Sequence, residues 1–113
     1  MPLTRATSSL INTNIVDLST GNNIDCSAGT YFTKTLTGNT TFAVFNVPSN
    51  RVYAFTFELN LSSTLYSVTW WNGVVWPNAS VPLLSAVNTV NLYMFVTDNG
   101  GVTWRGSALT NYS

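Results

Sequence analysis

The chain has 113 residues, with four Lys plus Arg against four Asp plus Glu, so its net charge is zero and charged residues make up only 7% of it. An ordinary soluble domain has roughly a quarter of its residues charged. There is no His, which excludes Ser-His-Asp and Cys-His catalysis and His-ligated metal sites within one chain. The eight charges (Arg5, Asp17, Asp25, Lys34, Arg51, Glu58, Asp98, Arg105) form no basic patch, which argues against nucleic-acid binding.

The length suits one domain, and zero net charge favours association. Aromatic residues reach 13%, including four Trp. Cys26 is the only cysteine, so no intramolecular disulfide forms. Its expected place is a small buried apolar site. The N-terminus lacks an apolar core of signal-peptide length. No run approaches the ~20 apolar residues of a membrane helix. The expectation is a chain made in the cytosol, with no membrane partner. The sequons at Asn39, Asn60, Asn78 and Asn111 read as chance in an Asn/Ser/Thr-rich chain.

Abundant Thr, Val, Phe, Tyr and Trp predict an all-β fold. Residues 1–13 read as an extended N-terminal arm, and residues 14–113 as the β domain. A short strand is expected over Asn14–Leu18, followed by a turn cluster at Ser19–Asn23. Thr30–Leu36 alternates, with Phe32, Lys34 and Leu36 on one face. Thr37-Gly38-Asn39 predicts a hairpin turn to a partner strand, Thr40–Phe45. Arg51–Leu61 has the clearest period of two, with Tyr53, Phe55, Phe57, Leu59 and Leu61 facing one way.

Tyr66–Trp76, split by Asn72-Gly73, predicts a second hairpin, ended by Pro77. Val81–Leu84 is a loop or edge. Val90–Val96 is apolar on both faces and predicts a central strand. Asp98–Gly101 is a tight turn, Val102–Arg105 the last strand, and Asn111–Ser113 a tail. The sum is an antiparallel β-sandwich of about eight short strands, jelly-roll-like.

The carboxylates Asp17, Asp25, Glu58 and Asp98 each have a structural reading, in turns or on a polar strand face. No Asp-x-Asp-x-Asp-Gly calcium loop is present, and Gly100-Gly101 does not precede a helix as a phosphate loop would. The expectation is no catalytic residue, no metal and no cofactor. Trp70, Trp71 and Trp76 form a cluster. Adjacent Trp70 and Trp71 on a strand would face opposite sides, so one of them is expected outside the main core unless a neighbour covers it. Trp and Tyr are enriched at interface hot spots.

A series of turn-and-strand signatures carries a resemblance: Asp17-Leu18-Ser19-Thr20-Gly21, Tyr31-Phe32-Thr33-Lys34-Thr35, Gly38-Asn39-Thr40-Thr41-Phe42, Asn46-Val47-Pro48, Val68-Thr69-Trp70, Trp76-Pro77, Phe95-Val96-Thr97-Asp98-Asn99-Gly100-Gly101 and Trp104-Arg105-Gly106. Over about residues 14–110 the chain resembles small virion structural domains of tailed bacteriophages, notably of cyanobacterial and marine hosts. Such domains occur as free-standing proteins and at the ends of tail fibres. The segment Trp71–Val75 departs from that pattern.

The resemblance implies a virion-surface protein made in the host cytoplasm: a capsid cement or decoration protein. Its expected partners are the major capsid protein and itself, as a homo-oligomer with a trimer preferred. The expected protein contacts are Leu3, Arg5 and Leu10 in the arm, with Trp71, Trp76 and Tyr112. The alternative is a tail-fibre or spike tip that stacks host glycan on Trp70, Trp71 and Trp76. A non-viral carbohydrate-binding module is a third reading.

Overall fold

A computed structural model of the chain describes residues 14–113. The arm residues Leu3, Arg5 and Leu10 lie outside the described residues. Ten strands follow one another: β1 (Ile15–Asp17), β2 (Asn23–Asp25), β3 (Tyr31–Thr35), β4 (Thr40–Thr41), β5 (Ala43–Phe45), β6 (Tyr53–Asn60), β7 (Val68–Thr69), β8 (Val74–Val75), β9 (Val90–Thr97) and β10 (Trp104–Tyr112). A single 3-10 turn, Pro77–Ala79, separates β8 from β9. The chain is all-β, as its composition predicts.

The strand pairing is mixed rather than antiparallel throughout. The large sheet has six strands in the order β1-β3-β6-β9-β10-β8. Its first half is parallel: Ile15 sits beside Tyr31, and Tyr31 beside Thr56. β6, β9 and β10 are antiparallel neighbours, and β8 returns parallel to β10. Two small sheets, β2-β5 and β4-β7, are parallel as well. The chain therefore passes the large sheet in one direction at β1, β3 and β6, visiting the small sheets between passes. It winds as a coil, and the β9–β10 hairpin closes the growing edge of that coil.

This corrects both predicted hairpins. β3 does not pair with β4 or β5. Each pairs with the equivalent strand of another pass. Asn72-Gly73 is a turn, but β7 and β8 leave it for different sheets. Gly73 has φ +95°, and a Cβ there would lie 2.4 Å from the Val102 carbonyl oxygen. The glycine permits that close approach, and its own carbonyl accepts from the Trp104 amide at 2.8 Å. The last strand is also longer than expected: Asn111 and Tyr112 belong to β10.

The predicted inward faces are observed. Phe32, Leu36, Tyr53, Phe55, Phe57, Leu59 and Leu61 are buried. β9 is central and adds Tyr93 and Phe95, while β10 adds Trp104. Against this face pack Ile24, Cys26, Phe42, Val44, Val68 and the Trp70–Trp76 segment. Phe42 meets Phe57 edge to face at 4.8 Å, and Trp71 meets Phe95 at 4.8 Å. Edge-to-face pairs add about 0.5–1.5 kcal/mol each beyond their buried area.

Lys34 points into this interior and is 6% exposed. Its ammonium donates to the carbonyls of Leu18 and Gly21, both at 2.9 Å. It thereby ties the turn after β1 to the next pass of the coil. Gly106 is forced by packing: a Cβ there would meet Trp76 Cζ3 at 2.7 Å and Phe95 Cε1 at 3.1 Å.

Two stability effects follow. Lys34→Met leaves two carbonyls without their donor, and it is expected to cost about 1–3 kcal/mol. Gly106→Val overpacks the Trp76 contact, with an expected loss of about 1–3 kcal/mol. Urea unfolding followed by Trp fluorescence measures both, and unchanged midpoints would contradict these packing assignments.

Candidate functional site

The tryptophans are placed first. Trp70 is the hub of the ring cluster, 4.7 Å from Tyr93, 5.1 Å from Phe95 and 5.7 Å from Phe42. Trp71 packs on Phe95, and it meets Trp104 edge to face at 5.7 Å and 82°. Trp76 lies against Trp70, Tyr93 and Phe95. All three are half-buried and packed on the core. Trp70 and Trp71 both turn inward because β7 ends at Thr69. Beyond that residue the alternation of a strand no longer applies. Trp71 and Trp76 are thus placed among core rings, whereas Tyr112 is exposed on β10.

The indole Nε1 atoms of Trp71 and Trp104 are buried without an oxygen or nitrogen acceptor. Both rings pack against other aromatic rings, Trp71 on Phe55 and Phe95 and Trp104 on Tyr53 and Phe55.

Two of the carboxylates, Asp25 and Glu58, are held by hydrogen bonds. Asp25 accepts from the Ser27 hydroxyl at 2.6 Å, the Ser27 amide at 3.0 Å and Asn46 Nδ2 at 2.9 Å. These bonds, the hydroxyl first, hold its carboxyl below the ordinary range. Glu58 accepts from the Tyr31 hydroxyl at 2.8 Å, Asn60 Nδ2 at 3.0 Å and the Thr33 hydroxyl at 3.2 Å. The Tyr31 bond leads in lowering its pKa. Among the described residues no three His, Cys, Asp or Glu side chains come together to hold a metal ion. Cys26 is buried, and burial pushes its thiol up to about 11.

Two surfaces remain that could engage a partner. The first is the outer face of the large sheet. On β9 the outward residues are Val90, Leu92, Met94 and Val96; Val90, Met94 and Val96 are each more than a third exposed. Leu109 and Ile15 extend this apolar surface on β10 and β1. The second is an open groove of about 410 Å³ on the other side of the sheet, between the Leu65–Trp70 segment and the Val81–Leu84 loop. Tyr66, Trp70 and Tyr93 line it with rings, and Leu83, 75% exposed, stands at its rim. No charged side chain lines it. Its shape is fixed by the Ser67 amide donating to Asn39 Oδ1 at 3.0 Å and by the Tyr93 hydroxyl donating to the Pro82 carbonyl at 3.4 Å.

The outward apolar stripe was legible in the two-sided apolarity of Val90–Val96. The groove was not, because its walls are far apart in sequence and Leu83 reads as an ordinary loop residue. Comparison with family models, with curated proteins and with solved structures finds no match.

Glu58 gives a pH effect whose sign is fixed. Its folded pKa is depressed, so its contribution is complete above the ordinary carboxylate pKa and is lost as pH falls through the folded value. Tyr31→Phe removes the leading donor. Glu58 is then expected to titrate closer to the ordinary range, as followed by carboxyl NMR shifts. For Cys26, thiol-reagent labelling of the native protein at pH 8 is expected to be slow and to accelerate only on denaturation. Rapid labelling without unfolding would contradict the burial of this thiol.

Proposed function

We propose that this chain is a bacteriophage capsid cement or decoration protein, acting by adhesion. The observation that carries the reading is the exposure of large apolar side chains on two separate surfaces of a charge-poor domain: the β9 stripe and the groove rim. Contiguous exposed apolar surface marks interaction sites. Two such surfaces suit a protein that must hold copies of itself and also grip a shell.

In this reading the sheet face serves self-association, with a trimer preferred. The groove with Leu65, Val81 and Leu83 seats on the major capsid protein, together with the arm residues Leu3, Arg5 and Leu10. In this reading the residues of the two small sheets that pack on the large sheet complete a sandwich-like platform. It offers a rigid platform on which each layer presents one surface. Stabilisation of the shell follows from linkage: a ligand that binds only the assembled lattice raises its stability. The reading assigns no enzymatic activity, no cofactor and no nucleic-acid or membrane partner.

The groove also favours a second reading, a tail-fibre or spike tip that holds neutral glycan. Tyr66 and Trp70 line one uncharged trough, and ring faces with nearby amide and hydroxyl groups suit sugar stacking. Trp71 and Trp76 take no part in that trough.

Purified protein mixed with matching capsids that lack it, then imaged by cryo-EM, tests the proposal. Density at fixed lattice positions is expected. Leu83→Asp is expected to weaken shell binding by about tenfold or more while leaving the fold intact. Bare shells with wild-type protein would refute the cement reading. Retention on a glycan array, abolished by Tyr66→Ala, would establish the second.

A further inference from the structure

We propose that the Asn72-Gly73 turn is a self-modification site, at which the chain cyclises to a succinimide and reopens as aspartate or isoaspartate. The inference stands apart from the capsid reading and does not need it.

The sequence holds two Asn-Gly pairs, Asn72-Gly73 and Asn99-Gly100. The chemistry available to both is the same. The main-chain nitrogen of the glycine attacks Cγ of the asparagine, and glycine leaves that nitrogen open because it has no Cβ. A new N–Cγ bond forms and the Cγ–Nδ2 bond breaks. Ammonia leaves, carrying the amide proton. Water then opens the ring. Opening at Cγ gives aspartate, and opening at the main-chain carbonyl gives isoaspartate, whose backbone runs through the side chain and is one carbon longer.

The fold separates the two sites. Both asparagines are exposed, but Asn99 is held. Its Oδ1 accepts from the Thr97 hydroxyl at 3.0 Å and from the Thr103 amide at 2.9 Å. These bonds keep the carboxamide in one orientation, and rotation for attack must break them. Asn72 lies between the end of β7 at Thr69 and the start of β8 at Val74, so no ladder bond has to open there. Among the described residues its carboxamide has no hydrogen-bond partner, and the Gly73 amide donates to no carbonyl. The electrophile and the nucleophile are both unengaged.

The other side of Gly73 is fixed, which makes the turn sensitive to the product. Its Cα lies so close to the Val102 carbonyl that a Cβ would be 2.4 Å from the oxygen. Its own carbonyl accepts from the Trp104 amide at 2.8 Å. On the preceding side, Trp71 is packed on Phe95 and Trp104. An extra backbone carbon between these two anchors cannot leave both in place. β8 meets the large sheet only through Val74 beside Trp104 and Val75 beside Arg105. Isoaspartate at position 72 therefore loosens β8 from the sheet margin. Either product also adds a carboxylate to a chain of zero net charge.

The test is to age the purified full chain in mildly alkaline buffer, digest it and map the peptides by mass spectrometry. Each conversion adds about 1 Da, and electron-transfer fragmentation distinguishes isoaspartate from aspartate. The Asn72 peptide is expected to convert roughly tenfold faster than the Asn99 peptide, the factor expected for releasing two hydrogen bonds. In urea the two rates should converge, because Asn99 is no longer held. Asn72→Gln should remove the early conversion. The isoaspartate fraction, separated by anion exchange, should unfold at a lower urea midpoint than fresh protein, whereas Asn72→Asp, with an ordinary backbone, should keep the midpoint. Equal rates at the two sites in the folded protein, or a faster rate at Asn99, overturn the inference. So does a difference that persists in urea, since sequence alone would then set it. An isoaspartate fraction as stable as fresh protein overturns the loosening of β8.

Discussion

The contact of Phe55 with Phe95 joins the two halves of the molecule. Phe55 belongs to the last pass of the coil and Phe95 to the closing hairpin. Their rings lie 5.2 Å apart on directly paired residues. Trp71 touches both rings, and Trp104 and Trp70 each touch one of them. The growing edge of the parallel coil is paired by β9, which docks antiparallel on β6. The aromatic cluster sits at that junction. Its size accounts for four tryptophans in a chain this short, and for the need for glycine at position 106.

Packing of this kind engages most of the polar and aromatic side chains of the interior. Trp71 and Trp76 are occupied by neighbouring rings, while Trp70 also borders the groove. Asp25 and Glu58 are engaged by nearby hydroxyls and amides. Lys34, the one lysine, is turned inward to hold carbonyl groups. What remains on the outside is surface: an apolar stripe along one strand and an uncharged groove. Both surfaces enter the capsid proposal.

Much of the local structure could be read from the sequence. The inward faces of β3 and β6 follow from alternation at Phe32-Lys34-Leu36 and at Tyr53 through Leu61. The centrality of β9 follows from its two-sided apolarity, and the Asp98–Gly101 turn from its residues. The partner of each strand was not legible. Alternation records which face is buried and says nothing of whether the neighbour runs parallel. Gly38-Asn39 and Asn72-Gly73 are proper turn residues, yet a turn dipeptide specifies only a change of direction. The passes differ in length, so no repeat period marks the coil. The two adjacent tryptophans were misjudged for a related reason: the strand stops at Thr69, and the rule for opposite faces stops with it.

The mixed pairing has a consequence for the order of assembly on the ribosome. Translation delivers β1, β3 and β6 first, and each of their pairings must close a long loop before any backbone bond forms. The β9–β10 hairpin, whose strands are joined by a short local turn, emerges after them. Until it does, the Phe55 side of the coil has no cover and the edge of β6 has no partner. Loss of β9 and β10 would remove more than an edge strand, because it would leave the edge of β6 unpaired and take Phe95 from Phe55.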